Sequence, residues 1–419
     1  MRKLLTGNGA AAWGARLADV DYIPAFPITP QTEIIEDLGR WTASGEMPAH
    51  MVTLDSEHSM LTAAGAAAAA GARTFSATSS QGLLYGMEML YTIAGWRAPF
   101  VLVNVSRALA APVTLEPDHS DILAARDSGF LQIHCATCQE VLDSILMAYR
   151  LAEHPDIRLP VIVNLDGFYL SFTREPVTLP EPGDVTVFLP PVNEEFAHFR
   201  RDKPVSHAVS VLGGGPYSYF RYEMHLASQR ALSVYPEIAA DFESKFGRRH
   251  DMLECYRTED ADIVFVMMGS FATKAKDAVD RLRNSGEKVG LVRPRLLRPF
   301  PAEAICQALA DRRGIAILDQ NLSMGMGGVL YSEITAALFR LHLPSPPVAT
   351  SFIGGLGGRD IRTEEFFEIF KVTAEAADSG KVPPPRLLYT EQELREMRKL
   401  QAIAQVEESE LIRLEEAGT

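Results

Sequence analysis

TLDSEHSMLTAAGAAAAAG, residues 53–71, holds the pattern from which the rest of the chain is read. A short alternating apolar run leads into Asp55-Ser56-Glu57-His58, and a dozen residues dominated by alanine and glycine follow. Ser56 or Asp55 is suited to cap a helix, which places Glu57 in or beside its first turn. The helix behind it has a face almost without side chains, and another backbone or a flat ligand can approach such a face closely. A carboxylate in this position is either an ordinary cap or an acid held in a tight cleft to meet a protonatable ring nitrogen. Taken alone, the local pattern favours the cap.

On either side of this stretch, strands and helices alternate. A helix is expected at Ala10–Leu17 and a strand at Tyr22–Ala25, followed by Pro27-Ile28-Thr29-Pro30, whose two prolines fix Thr29 in an extended turn. The periodicity predicts a helix over Gln31–Thr42, with Ile34, Ile35, Leu38 and Trp41 on one face. A strand at Arg73–Ala77 ends in Ser79-Ser80-Gln81-Gly82 and leads into one helix over Leu83–Ala94. The buried strand Phe100–Val105 ends in Ser106-Arg107. After an irregular segment at 108–125 come strand Leu131–Cys135, helix Gln139–His154 and strand Val161–Leu165. Such alternation predicts a doubly wound parallel sheet whose working edge lies at the carboxyl ends of its strands. Thr29, Ser79, Ser80 and Arg107 would gather there. Arg107 is suited to hold a carboxylate bidentately, or else to pair with Asp118, Asp121 or Asp127.

The first α/β unit is expected over 1–175 and an irregular connecting segment over 176–258, where only Tyr235–Phe246 reads as helix. LGGGPYSYFRYEMH at 212–225 reads as an excursion. A second, smaller α/β unit is expected over 259–375, and a proline-led tail with a final helix over 376–419. In the tail, Thr390 and Glu393 make a capping box for a helix carrying Leu394, Met397, Leu400, Ile403 and Val406.

The composition removes several function classes. A formal charge of −14 with no strongly basic segment argues against nucleic acid. No run approaches the ~20 apolar residues of a membrane span. Four cysteines in 419 residues fit a reducing cytoplasm. The glycine groups at 7–9, 213–215 and 354–358 match neither a dinucleotide fingerprint nor a phosphate loop, and read as tight turns. Cys135 and Cys138 form a CxxC without further ligands nearby, so a buried structural pair is expected and no metal site is assigned to this chain. His58, His119 and His134 are open to acid–base or structural roles.

Several longer motifs carry a family resemblance. RTFSATSSQG at 73–82 resembles the ARTFTATSSQG stretch of the alpha subunits of 2-oxoacid:ferredoxin oxidoreductases, above all the pyruvate type. PAFPITPQTEI at 24–34, DSEHS at 55–59, NVSRALAAP at 104–112, DHSD at 118–121 and RDSGF at 126–130 are similar to its other motifs. So are LDGF at 165–168, VGLVRPRLLRPFP at 289–301 and GGLGGRDI at 354–361. The resemblance covers roughly 1–372 and leaves the tail unexplained.

The resemblance implies a pyrimidine-type thiamine diphosphate-binding domain followed by a transketolase C-terminal-like domain. It implies CoA-dependent oxidative decarboxylation of a 2-oxo acid, with electrons passed to ferredoxin. The cofactor is shared with a beta subunit, while Mg2+ and 4Fe–4S clusters sit in partner subunits of beta and gamma/delta type. An NAD-linked flavoprotein joins them if NAD is the final acceptor, and the whole is a dimer of the hetero-oligomer. By resemblance, Glu57 is the cofactor-activating glutamate, Thr29 and Arg107 meet the substrate carboxylate, and Pro27, Ile28, Ser79, Ser80 and Gln81 line the cofactor. One departure is Pro112-Val-Thr-Leu-Glu-Pro117, where pyruvate-type members carry a tryptophan. A pocket opened for a bulkier acid such as phenylglyoxylate, in the manner of phenylglyoxylate dehydrogenases, is the expectation from it. The rival readings are a non-redox thiamine-dependent ketolase or decarboxylase component and a non-catalytic scaffold subunit.

Overall fold

The computed structural model describes residues 1–192, 199–211 and 214–417, with the side chains of 214 and 409–417 left aside. The first half runs β1 (Arg2–Thr6), α1 (Gly7–Leu17), β2 (Tyr22–Ala25), α2 (Thr32–Ala43), β3 (His50–Thr53) and α3 (Glu57–Ala69). It continues with β4 (Phe75–Thr78), α4 (Gln81–Tyr85), α5 (Met87–Gly95), β5 (Val101–Ser106), α6 (Ser120–Ala124) and β6 (Leu131–His134). Then come α7 (Cys138–Ala152), β7 (Val161–Asp166), β8 (Arg174–Thr178), α8 (Pro182–Phe188) and α9 (Gly214–Phe246). The second half holds β9 (Leu253–Tyr256), β10 (Ile263–Val266), α10 (Ala272–Asn284), β11 (Val289–Pro294), β12 (Leu296–Arg298) and α11 (Ala302–Leu309). It closes with β13 (Gly314–Asp319), α12 (Val329–Phe339), β14 (Val348–Ile353), α13 (Thr363–Ser379), β15 (Arg386–Leu387) and α14 (Glu391–Ala417).

The first sheet has the order β12-β6-β7-β5-β4, parallel except for β12. The parallel pair β2-β3 continues it through a bridge from Tyr22 to Thr74. Strands β5 and β7 are buried along their whole length, as a parallel sheet covered on both faces requires. The second sheet has the order β15-β14-β13-β10-β11-β9, with β9 antiparallel. The expected α/β architecture is therefore present in both halves.

Several expectations need correcting. Residues 83–94 do not form one helix, because α4 and α5 part at Gly86, where a Cβ would lie 2.2 Å from Leu61 Cδ1. The glycines at 7–9 open α1 instead of forming a turn, with Thr6 capping through a 2.9 Å bond from the Gly9 amide. Residues 176–258 hold more regular structure than the one helix expected, namely α8, α9 and β9, while the described residues between α8 and α9 form neither helix nor strand. The Leu212 and Gly213 of the supposed excursion lie outside the described residues, but the remainder belongs to the 33-residue α9. Met224, Ala227, Ala231, Val234, Ile238 and Phe242 recur at helical spacing and are buried. The glycine run and crowded tyrosines ahead of them mask that period in the sequence. The β1–β8 antiparallel ribbon was also not foreseen.

Buried charge binds the two halves. Glu140 Oε1 accepts from Arg295 Nη2 at 2.7 Å and from Arg293 Nη2, while Arg293 Nε donates to Glu254 Oε2 at 2.6 Å. His119 Nε2 meets Asp166 Oδ1 at 2.8 Å, and Asp166 Oδ2 accepts from the Ser270 amide and hydroxyl at 2.6 Å. Burial opposes a charged imidazolium, yet the Asp166 carboxylate outweighs it and raises the proton affinity of His119. Stability from this pairing is complete below the ordinary imidazole value of about 6.5 and is lost as pH rises through the higher folded-state value. Urea titrations should therefore show unfolding free energy falling as pH rises above about 6.5. The His119→Gln variant should respond more weakly over that window, and an unchanged slope would remove His119 as the cause.

Candidate active site

The carboxyl edge of the first sheet is organised by turns after β4 and β5. After β4 the chain turns at Ser79-Ser80, and Ser80 takes a left-handed φ of 51°, a conformation costing on the order of 1–3 kcal/mol for a non-glycine residue. Three bonds hold it there: its amide donates to Asp121 Oδ2 at 2.9 Å, and its hydroxyl lies 2.7 Å from Gln81 Oε1 and 3.0 Å from the Ala108 carbonyl. Ser79 Oγ donates to the Val105 carbonyl at 2.7 Å, which ties the ends of β4 and β5 together.

Asp121, in the first turn of α6, is wholly buried and receives most of these restraints. Besides the Ser80 amide it accepts from the Arg107 amide at 3.2 Å, Asn104 Nδ2 at 3.1 Å, Ser106 Oγ at 3.2 Å and its neighbour Ile122 N at 2.7 Å. Burial raises its proton affinity, and the hydrogen bonds from these donors pull back against that rise. Among the described residues Arg107 forms no ion pair with Asp118, Asp121 or Asp127: Asp121 meets its backbone. The Arg107 guanidinium instead donates through Nη1 to the Thr29 carbonyl at 2.8 Å and through Nη2 to Gln81 Oε1 at 2.9 Å. Its Nε is buried without a partner.

Thr29 lies in the exposed loop between β2 and α2 and is joined to Pro30 by a cis peptide. Asn8 reaches from α1 to the Pro30 carbonyl at 2.9 Å, and Gln31 Nε2 donates back to the Phe26 carbonyl at 2.9 Å, so the loop is pinned at both ends. Ile28 is half-buried and Pro27 exposed.

Glu57 is the first residue of α3, behind the cap Ser56, whose hydroxyl accepts from the Ser59 amide at 3.2 Å. The side chain is only 6% exposed, and no donor among the described residues bonds its carboxylate. A Cβ placed on Gly82 would lie 2.5 Å from Glu57 Oε1 and 2.7 Å from Thr78 Oγ1, itself buried without a partner. Glycine here keeps open the space that both oxygens face. The Ala/Gly face of α3 has a more local use than expected, for Gly65 lets α5 of the same chain approach, with Ile93 Cγ1 2.4 Å from where a Cβ would stand. Thr62, Ala66 and Ala70 remain exposed on the opposite side.

The structure thus brings Thr29, Ser80, Gln81 and Arg107 into one hydrogen-bonded cluster and sets Glu57 across Gly82 from it. The Ser79 hydroxyl hydrogen is spent within the fold. Sequence reading undervalued Asp121, weighed only as a possible ion-pair partner, and missed Thr78 and Asn104. A polar residue in the apolar run FVLVNV was the available signal for Asn104. His58 is half-exposed beside Glu88, 3.5 Å away, and His134 is buried, with its proton affinity driven down to about 3 chiefly by desolvation. Cys135 and Cys138 are unpaired and buried, and burial pushes the Cys135 thiol up to about 12. No group of metal-ligating side chains occurs among the described residues.

An open α/β sheet with an unpartnered buried carboxylate beside a glycine cradle fits a protein that holds a heteroaromatic cofactor at its sheet edge. Residues 13–240 match the family described as pyruvate flavodoxin/ferredoxin oxidoreductase, thiamine diphosphate-binding, and 261–366 match pyruvate:ferredoxin oxidoreductase core domain II. The chain is 40% identical over 385 residues to the pyruvate synthase subunit PorA of Pyrococcus furiosus, covering 92% of this chain and 96% of that one. It is 39% identical over 384 residues to the ketoisovalerate oxidoreductase subunit VorA of Pyrococcus horikoshii, covering 91% and 96%. A solved 2-oxoglutarate:ferredoxin oxidoreductase from Magnetococcus marinus shares the fold with a TM-score of 0.69 at 19% identity, over 88% of this chain and 65% of that one. The chain belongs to the 2-oxoacid:ferredoxin oxidoreductase family, as an alpha subunit.

Gly82→Ala should displace the Glu57 carboxylate and lower turnover on the order of 100-fold while the chain still folds. Asp121→Asn should turn an amide toward the Ser80 and Arg107 N–H groups and raise KM for the 2-oxo acid at least tenfold. Steady-state kinetics on the assembled enzyme, with circular dichroism as the folding control, checks both.

Proposed function

We propose that this chain supplies the proton-sharing carboxylate and the substrate-carboxylate grip for CoA-dependent oxidative decarboxylation of a 2-oxo acid. The observation that carries this is the Glu57 carboxylate, buried yet without a hydrogen-bond donor among the described residues. Thiamine diphosphate, when bound, supplies the carbanion chemistry that removes CO2 from the 2-oxo acid. Glu57 would stand beside the cofactor's aminopyrimidine ring nitrogen and share a proton with it. The Pro27–Ile28 loop and the Ser79–Gln81 turn would line the pyrimidine. Arg107, oriented by Thr29 and Gln81, would meet the substrate carboxylate.

CoA would take the acyl group, and 4Fe–4S clusters in partner subunits would supply the route for the electron pair to ferredoxin. A beta subunit, with Mg2+ and the cofactor diphosphate, and gamma/delta-type subunits complete a cytoplasmic complex. Relatives named for pyruvate and for ketoisovalerate are nearly equal in identity to this chain, so similarity does not choose the substrate. The loop at 108–117 carries no aromatic residue, and its Val113 is 78% exposed. That opening favours an aromatic 2-oxo acid such as phenylglyoxylate over pyruvate.

Glu57→Gln should cut turnover at least 100-fold without dissolving the complex, and intact turnover would point to a scaffold. Iron–sulfur absorbance in the purified complex separates the redox enzyme from a non-redox ketolase or decarboxylase. Assays with phenylglyoxylate and pyruvate side by side should favour the aromatic acid, and a strong preference for pyruvate would remove the enlarged pocket.

A further inference from the structure

The last helix, α14, is fastened only at its start. Its capping box is complete, with the Glu393 amide donating to Thr390 Oγ1 at 3.1 Å and the Thr390 amide to Glu393 Oε2 at 2.7 Å. Arg359 clamps the same carboxylate with bonds of 2.9 and 3.0 Å. Beyond this turn residues 395–408 are all exposed. Met397, Leu400 and Ile403 are 39%, 66% and 50% exposed. A helix of 27 residues reaches about 40 Å, so a long apolar flank stands in solvent.

The sequence of that flank has a definite order. Met397, Leu400, Ala404, Glu407, Leu411 and Leu414 follow one another at alternating steps of three and four, the a/d seam of a heptad repeat. The register positions beside the seam hold Glu396, Gln401, Ile403, Glu408, Glu410 and Glu415, with no basic residue among them. Arg395, Arg398, Lys399 and Arg413 all fall on the far side. A parallel pair of such helices would set Ile403 against Glu408 and Glu410 against Glu415, and an antiparallel pair would set acid against acid. Either arrangement also buries Glu407 at the seam. The charge pattern therefore disfavours a second copy and fits a partner of opposite sign.

We propose that α14 is a docking arm for another subunit of the oxidoreductase complex, which presents an apolar groove or helix flanked by lysines and arginines. This rests on the chain working within a multi-subunit enzyme, but not on the role given to Glu57. The test is assembly of the full complex, co-expressed and purified, followed by native mass spectrometry and sedimentation at about 0.1 and 0.5 M salt. Leu400→Glu, at an exposed site, and the triple reversal Glu408→Lys/Glu410→Lys/Glu415→Lys should each weaken association at least tenfold. Far-ultraviolet circular dichroism and the melting midpoint of the chain should stay unchanged. The wild-type complex should also loosen at the higher salt. Wild-type affinity in both variants would overturn the proposal. So would self-association of the isolated chain that Leu400→Glu abolishes, since the occupant would then be a second copy. Tighter assembly by the charge-reversed chain would overturn the basic partner.

Discussion

Donors from two turns and a central strand converge on the Asp121 carboxylate, and the working edge of the first sheet takes its shape from that convergence. A buried carboxylate without partners would be expensive, and removing it would orphan several N–H groups at once. The same anchor holds Ser80 in its left-handed conformation and sets the direction in which the chain leaves β5 toward Arg107. Strain at the β4 turn is thereby offset by polar satisfaction a few ångströms away. The guanidinium then needs only Thr29 and Gln81 to fix its orientation.

Glu57 is governed by an opposite rule. Asp121 accepts from five donors, whereas no donor among the described residues bonds Glu57, which sits beside a glycine and the threonine hydroxyl of Thr78. One carboxylate is satisfied within the fold and the other is not. Proteins retain an unsatisfied buried acid where a ligand completes it, and the contrast between these two residues on one sheet edge is more telling than either alone.

Features governed by short-range rules were legible in the sequence. Strand–helix alternation, the cap at Ser56 and the Thr390–Glu393 box depend on residues a few positions apart, and they stand where expected. The gathering of Thr29, Ser80 and Arg107 followed from topology, because parallel strands end on the same side. What escaped notice was long-range or masked. Nothing in RKLLT announces pairing with residues 174–178, and nothing in LLR places it on the first sheet beside β6. The period of α9 hid behind glycines. Asp121 looked like one acid among several because its donors lie 14 to 41 positions upstream.

The crossing of β12 onto the first sheet bears on how the protein is made. Strand β6 gains its outer neighbour only when residues 296–298 arrive, about 160 residues after β6 itself has been synthesised. At about 5–20 residues per second, the nascent first half carries an open strand edge for on the order of ten seconds or more. During that interval the edge is available to other chains, and β-strand edges pair readily when left uncovered. The fold thus postpones closure of its first sheet until the second half has emerged, so a chain that stops early at the ribosome leaves an aggregation-prone fragment instead of a finished domain.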